Sequence, residues 1–153
     1  LSNAGSWQVS VRPFSSNTPV WTTVNAATYT TTTPLLPNTF YRVWVRPICD
    51  NELTAPNDRK VFVTGADWCD GITIADSGGA NNGYVNNESY VRTIIPNLPN
   101  KKIELTFTAF DMEVDYDYVY VYDGNSTSAT DLSAGGFDGT DIPGPFVSTA
   151  ADG

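Results

Sequence analysis

Apolar and polar residues alternate one for one in a series of short runs, with Pro, Gly or Asn between them. Trp7, Val9 and Val11 alternate with Gln8, Ser10 and Arg12. Tyr41, Val43 and Val45 alternate with Arg42, Trp44 and Arg46. Ile103, Leu105, Phe107 and Ala109 alternate with Glu104, Thr106, Thr108 and Phe110. A period of two puts successive side chains on opposite faces of a strand, one to bury and one to leave in water. No segment of about eleven residues keeps a 3.6 period free of Pro, Gly or Thr runs, so no amphipathic helix is expected. Short strands recurring about every ten residues, with turn signals between them, predict an all-β chain of antiparallel sandwiches.

Further strands are expected at Val20–Val24, at the threonine-rich run Thr28–Thr33, and at the brief apolar segments Gly71–Ala75 and Val91–Ile95. Threonine is β-branched and suits an exposed or edge strand. Asp50–Lys60 is polar and reads as a loop, and Asp76–Asn82 (DSGGANN) reads as a glycine-rich turn. No GK[ST] follows those glycines and no helix is signalled after them, so the turn is not a phosphate cradle.

Charge and residue types exclude several function classes. Eight Lys and Arg stand against 17 Asp and Glu, a net charge of −9. That balance argues against a nucleic-acid partner, which needs clustered cations. It suits a calcium-rich exterior, since carboxylates are hard-cation ligands, and it equally serves solubility alone. The chain has no histidine, which removes the usual general base and the commonest transition-metal ligand. No apolar run approaches the roughly 18 residues that span a bilayer, so no membrane insertion is expected. Any signal peptide is expected outside this sequence. Cys49 and Cys69 are too few for a disulfide scaffold; they pair with each other or form half-bridges to cysteines elsewhere.

Leu35-x-Pro37-x-Thr39-x-Tyr41 has the spacing of the E–F corner of fibronectin type III domains. VRPIC, a polar loop and then VFVTG resemble that family's strands F and G. The resemblance covers roughly residues 6–65 and implies a tyrosine corner, with Tyr41 packed inside and its hydroxyl capping nearby backbone. It also implies a partial domain at 1–65, with the earliest strands lying before Trp7.

The run Phe107-x-x-Phe110-x-x-Glu113, then Tyr116-Asp117-x-Val119-x-Val121-Tyr122-Asp123-Gly124, is very similar to the signature of CUB domains. LSAGGFDG at 132–139, Pro143 and Phe146-Val147-Ser148 agree with that family's later pattern, and Cys69 with Gly71 and Ile72 resembles its start. The resemblance covers about residues 68–153 and implies a second sandwich at 66–153 whose last strands lie beyond Gly153. Two consecutive antiparallel β-sandwich modules follow, both clipped: a partial fibronectin type III-like module, then a CUB-like jelly roll. The family's second cysteine pair would fall near Val114 and at Asp138, and both are missing.

In calcium-binding CUB domains a Glu, the Asp of the Tyr-Asp pair and a further Asp hold the metal. The resemblance therefore implies Ca at Glu113 and Asp117, with the third ligand beyond Gly153, although the intervening loop is shorter than in calcium-binding members. The spacing is not that of an EF-hand, since Tyr116 stands where that loop needs Gly. Tyr116, Tyr118, Tyr120 and Tyr122 fall on one face of a regular strand. Tyr118 and Tyr120 then form either a ligand face for protein or sugar, or cross-strand packing that stiffens the sheet.

Catalysis is not expected. Without histidine an enzyme would rest on carboxylate pairs such as Glu113 with Asp117 or Asp138 with Asp141, and small sandwiches rarely offer the cleft. Asn87-Glu88-Ser89 and Asn125-Ser126-Thr127 fit the glycosylation pattern, which short polar loops also produce by chance. The resemblances imply a secreted or cell-surface, multidomain protein of bacterial type. Its function would be extracellular binding to protein or glycan, and other domains of the same polypeptide would be its neighbours. The alternative is a spacer or accessory segment of a secreted hydrolase.

Overall fold

A computed structural model describes residues 5–49, 52–56, 59–68 and 71–149. The chain is all-β, its strands pair antiparallel throughout, and no α-helix occurs among the described residues. It forms two compact units: residues 1–66 with 73–92, and residues 67–72 with 93–153.

The first unit is built on a long two-stranded ladder. Strand β1 (Ser6–Pro13) pairs with β3 (Phe40–Cys49) from Ser6↔Ile48 to Pro13↔Tyr41. Strand β2 (Thr22–Val24) covers the other edge of β1, and β4 (Glu52–Leu53) and β5 (Lys60–Val63) pair with the two ends of β3. The alternation read from the sequence is obeyed. Trp7, Val9, Val11, Val43, Val45 and Phe62 line a hollow of about 550 Å³ on one face. Gln8, Ser10 and Arg12 lie opposite Arg46, Trp44 and Arg42 on the other.

Tyr41 is where the unit is pinned. Its side chain is buried and its ring stacks on Phe62 with centroids 5.5 Å apart. Its hydroxyl accepts the Leu36 N–H at 2.9 Å, which is the corner geometry expected of it. Thr64 closes the same turn, its hydroxyl accepting from the Thr39 amide at 2.9 Å and donating to the Leu36 carbonyl at 2.6 Å. Residues 73–92 join this unit: Tyr90 meets Phe40 edge-on at 4.9 Å and Arg59 donates to the Asn86 carbonyl at 3.0 Å.

The second unit has two short ladders and two isolated bridges around an aromatic cluster. Strand β6 (Glu104–Leu105) pairs with β9 (Phe146–Val147), and β7 (Tyr122–Asp123) with β8 (Thr130–Asp131). Phe107 meets Phe110 at 5.6 Å and Phe146 at 6.3 Å, both edge-on, and Phe137 meets Phe146 at 5.6 Å. Edge-to-face rings are favourable beyond their area alone. Phe107-x-x-Phe110 thus marks the core of this unit, and Pro143 is buried.

Several expected strands are absent or shortened. Thr28–Thr33, Gly71–Ala75 and Val91–Ile95 are irregular, and only 104–105 of the 103–109 run is in a ladder. The polar stretch read as a loop contains β4. β-propensity records how a residue fits a pleated surface beside a neighbour, and those segments have no ladder partner among the described residues. Val91 stays 65% exposed and Ile95 49% exposed accordingly. Cys49 ends β3 as a half-buried thiol, and its pairing with Cys69 lies outside the described residues.

Candidate functional site

Residues 112–123 do not form one continuous strand. They run antiparallel to 130–139 through separate contacts: a Met112–Gly139 bridge, a Val119–Phe137 bridge and the β7–β8 ladder. Between the first two lies a turn in which the Tyr116 and Asp117 amides both donate to the Glu113 carbonyl, at 3.3 and 3.1 Å. Asp115 takes a left-handed backbone there (φ 65°), a conformation Asp accepts better than most residues. Its amide donates to the Asp138 carboxylate at 2.8 Å. The positions where the resemblance placed a missing cysteine pair, near Val114 and at Asp138, are therefore tied by a hydrogen bond instead.

The turn carries both sequence-predicted calcium residues. Glu113 and Asp117 sit four residues apart, at its start and end. Six to eight oxygens are needed for Ca²⁺. Among the described residues no three Asp, Glu or Cys side chains gather into a group that could hold a metal. Glu113 and Asp117 alone do not make a complete set.

The tyrosine row is real. Tyr118 and Tyr120 centroids are 6.2 Å apart, and Tyr120 and Tyr122 are 6.3 Å apart with nearly parallel rings. Tyr118 remains 41% exposed and Tyr120 48% exposed, while Val119 and Val121 turn to the half-buried side. The row rests on Gly136, whose φ is 112°. A Cβ there would come within 3.0 Å of the Tyr120 ring and 3.1 Å of the Tyr118 ring. The two tyrosines thus lie over a bare patch of the neighbouring backbone and keep their outer surface in solvent. Partial desolvation first, then Asp138, Asp115 and Tyr120, push the Tyr118 phenol above its ordinary value.

Behind the row, a network absent from the sequence reading sets its position. Asp131 accepts hydrogen bonds from the Ser133 amide (2.7 Å), the Ser133 hydroxyl and the Gly135 amide (3.2 Å). Ser133 is only 2% exposed, and its hydroxyl also receives the Val121 amide at 3.3 Å. The signal was the D-x-S spacing ahead of Gly135-Gly136, an Asx turn. Asp123 accepts from the Thr149 amide at 2.8 Å and from its hydroxyl.

The CUB domain family model matches residues 73–152, just over half of the chain, and the chain belongs to that family. Residues 73–92 of the matched stretch lie in the first compact unit and the remainder in the second. CUB domains are, as a family, extracellular, non-catalytic modules that mediate protein interactions. Neither the curated proteins nor the solved structures contain a match to the chain. No helix among the described residues is long and apolar enough to cross a membrane.

Proposed function

We propose that this chain is a non-catalytic extracellular binding segment of a larger secreted or cell-surface protein, with Tyr118 and Tyr120 as its contact face for protein or glycan. The observation that carries this reading is the pairing of exposure with rigidity. The two rings are seated on Gly136 and braced by each other, yet both keep more than two fifths of their surface in solvent. Tyrosines held in this way contribute large contact area with little further loss of rotamer freedom on binding. A screen of the protein against glycans and extracellular-matrix proteins, repeated with Tyr118→Ala and Tyr120→Ala, tests it. A screen without ligands would favour the alternative, a spacer beside the catalytic domain of a secreted hydrolase.

Calcium belongs to the same proposal. Glu113 and Asp117 would contribute two carboxylates to a Ca²⁺ site whose other oxygens come from elsewhere, and the charge of the neighbouring acidic turn supports it. We also read residues 1–65, part of the first unit, as a partial fibronectin type III-like module. The Tyr41–Leu36 hydrogen bond and the β3–β5 pairing support that assignment.

A further inference from the structure

The polar face of the β1–β3 ladder holds an arrangement that neither the family nor the tyrosine row accounts for. Each arginine on it stacks over an aromatic ring: Arg12 on Trp44 at 4.4 Å, Arg42 on Phe14 at 3.9 Å and Arg46 on Trp21 at 4.1 Å. Arg12 and Arg42 stand directly opposite each other in the ladder, an arrangement that like charges disfavour. Arg46 donates to the Gln8 side-chain Oε1 through Nε at 3.0 Å and Nη2 at 2.6 Å. Among the described residues no hydrogen bond or ion pair joins a carboxylate to Arg12 or Arg42, and Glu88 acts on Arg42 through its field alone.

The unmet hydrogen-bonding capacity of the described residues is concentrated here. Their buried side-chain N and O atoms without a hydrogen-bond partner are Ser10 Oγ, Arg12 Nε, Arg12 Nη1 and Arg42 Nε. All belong to this one face, and Ser10, opposite Trp44, is completely buried. Buried polar groups are nearly always satisfied, so a cluster of exceptions marks the place of an ion or water. The two terminal nitrogens of Arg42 are not among those buried atoms. Burial, then Arg59, then Arg12 lower the basicity of Arg42, and Glu88 offsets them only in part. An anion would offset the repulsion and supply the buried donors with acceptors.

We propose that this face is an oxyanion-binding site, in which Arg42, Arg12 and Arg59 take a sulfate or carboxylate group. A guanidinium fork matches such a group with two parallel N–H···O bonds, and its edge can do so while its plane stays stacked on a ring. Arg59 donates to the Asn86 carbonyl at 3.0 Å through one nitrogen, and it is near enough to lower the basicity of Arg42 through its charge.

The test is titration of the whole protein with sodium sulfate and, separately, sodium acetate, at constant ionic strength maintained with chloride. It is followed through the Arg Nε–H and Trp indole N–H resonances. The expected result is saturable shifts at Arg12, Arg42 and Trp44, weakened about tenfold or more in Arg42→Gln. Arg59→Gln lies outside the ladders and should weaken binding with the strand pairing unchanged. Saturation by sulfate alone assigns a sulfate ester as the natural group, and saturation by acetate assigns a carboxylate. Shifts that stay linear with both salts, or saturate identically in both variants, would overturn the site.

Discussion

The Tyr41 hydroxyl accepts a hydrogen bond from the Leu36 amide five residues upstream, while its ring stacks on Phe62 of the adjoining strand. One side chain therefore fixes both the entry of the chain into β3 and the packing of β5 on it.

Tyr41→Phe keeps the ring and removes the acceptor, leaving the Leu36 amide without its partner. The expected cost is about 1–2 kcal/mol, read as a lower urea midpoint with an unchanged slope. An unchanged midpoint would mean the corner is incidental to the stability of the first unit.

Gly136→Ala introduces a Cβ at φ 112°, within 3.0–3.2 Å of the two tyrosines. Backbone strain of this kind costs roughly 1–3 kcal/mol, and the tyrosines must shift outward to make room. The second unit should melt earlier, and the ring resonances of Tyr118 and Tyr120 should move while those of the first unit hold still.

Asp131 yields a prediction with a definite sign. Its hydrogen bonds from the Ser133 side chain and amide, with that from Gly135, hold its carboxyl below the ordinary value against a smaller opposing effect of desolvation. A depressed carboxyl contributes stability that is fully present above its unfolded value near 3.9 and is lost as pH falls through the folded one. Asp131→Asn should therefore lower the melting temperature near neutral pH, and the gap from wild type should close as pH falls through the folded-state value. A gap that persists in acid would show that the carboxylate charge is not the source.

Calcium at Glu113 and Asp117 would stabilise the folded chain by about 2.7 kcal/mol when free metal is a hundredfold above its dissociation constant. Millimolar calcium should then raise the melting temperature, and Asp117→Ala should abolish the rise. An equal rise in the variant would place the metal elsewhere, and no rise at all would remove it.

Much of this fold is legible in local pattern. The two faces of β1 and β3 follow directly from Trp7–Arg12 and Tyr41–Arg46, because a period of two leaves no other arrangement once one face is buried. Tyr41 was legible from its spacing to Leu35, Pro37 and Thr39, and Phe107 and Phe110 from theirs to Glu113. Thr28–Thr33 misled because a strand requires a partner, and propensity does not identify one. The stacking of Arg12, Arg42 and Arg46 on rings was hidden for a related reason: Trp21 and Phe14 come from outside the two alternating runs. The Asp131–Ser133–Val121 network was similarly obscured, since it joins positions ten residues apart across a glycine bend.

The most direct test of the proposed function compares wild type with Tyr118→Ala/Tyr120→Ala in the glycan and matrix-protein screen, with melting curves confirming that both are folded. Exposed aromatic anchors contribute about 2 kcal/mol or more each when they carry an interface. The account predicts at least one ligand for wild type whose affinity falls about thirtyfold for each tyrosine removed, and several hundredfold in the double variant, on the order of 4 kcal/mol. Ligands bound equally by both proteins, or none bound by either, would contradict it.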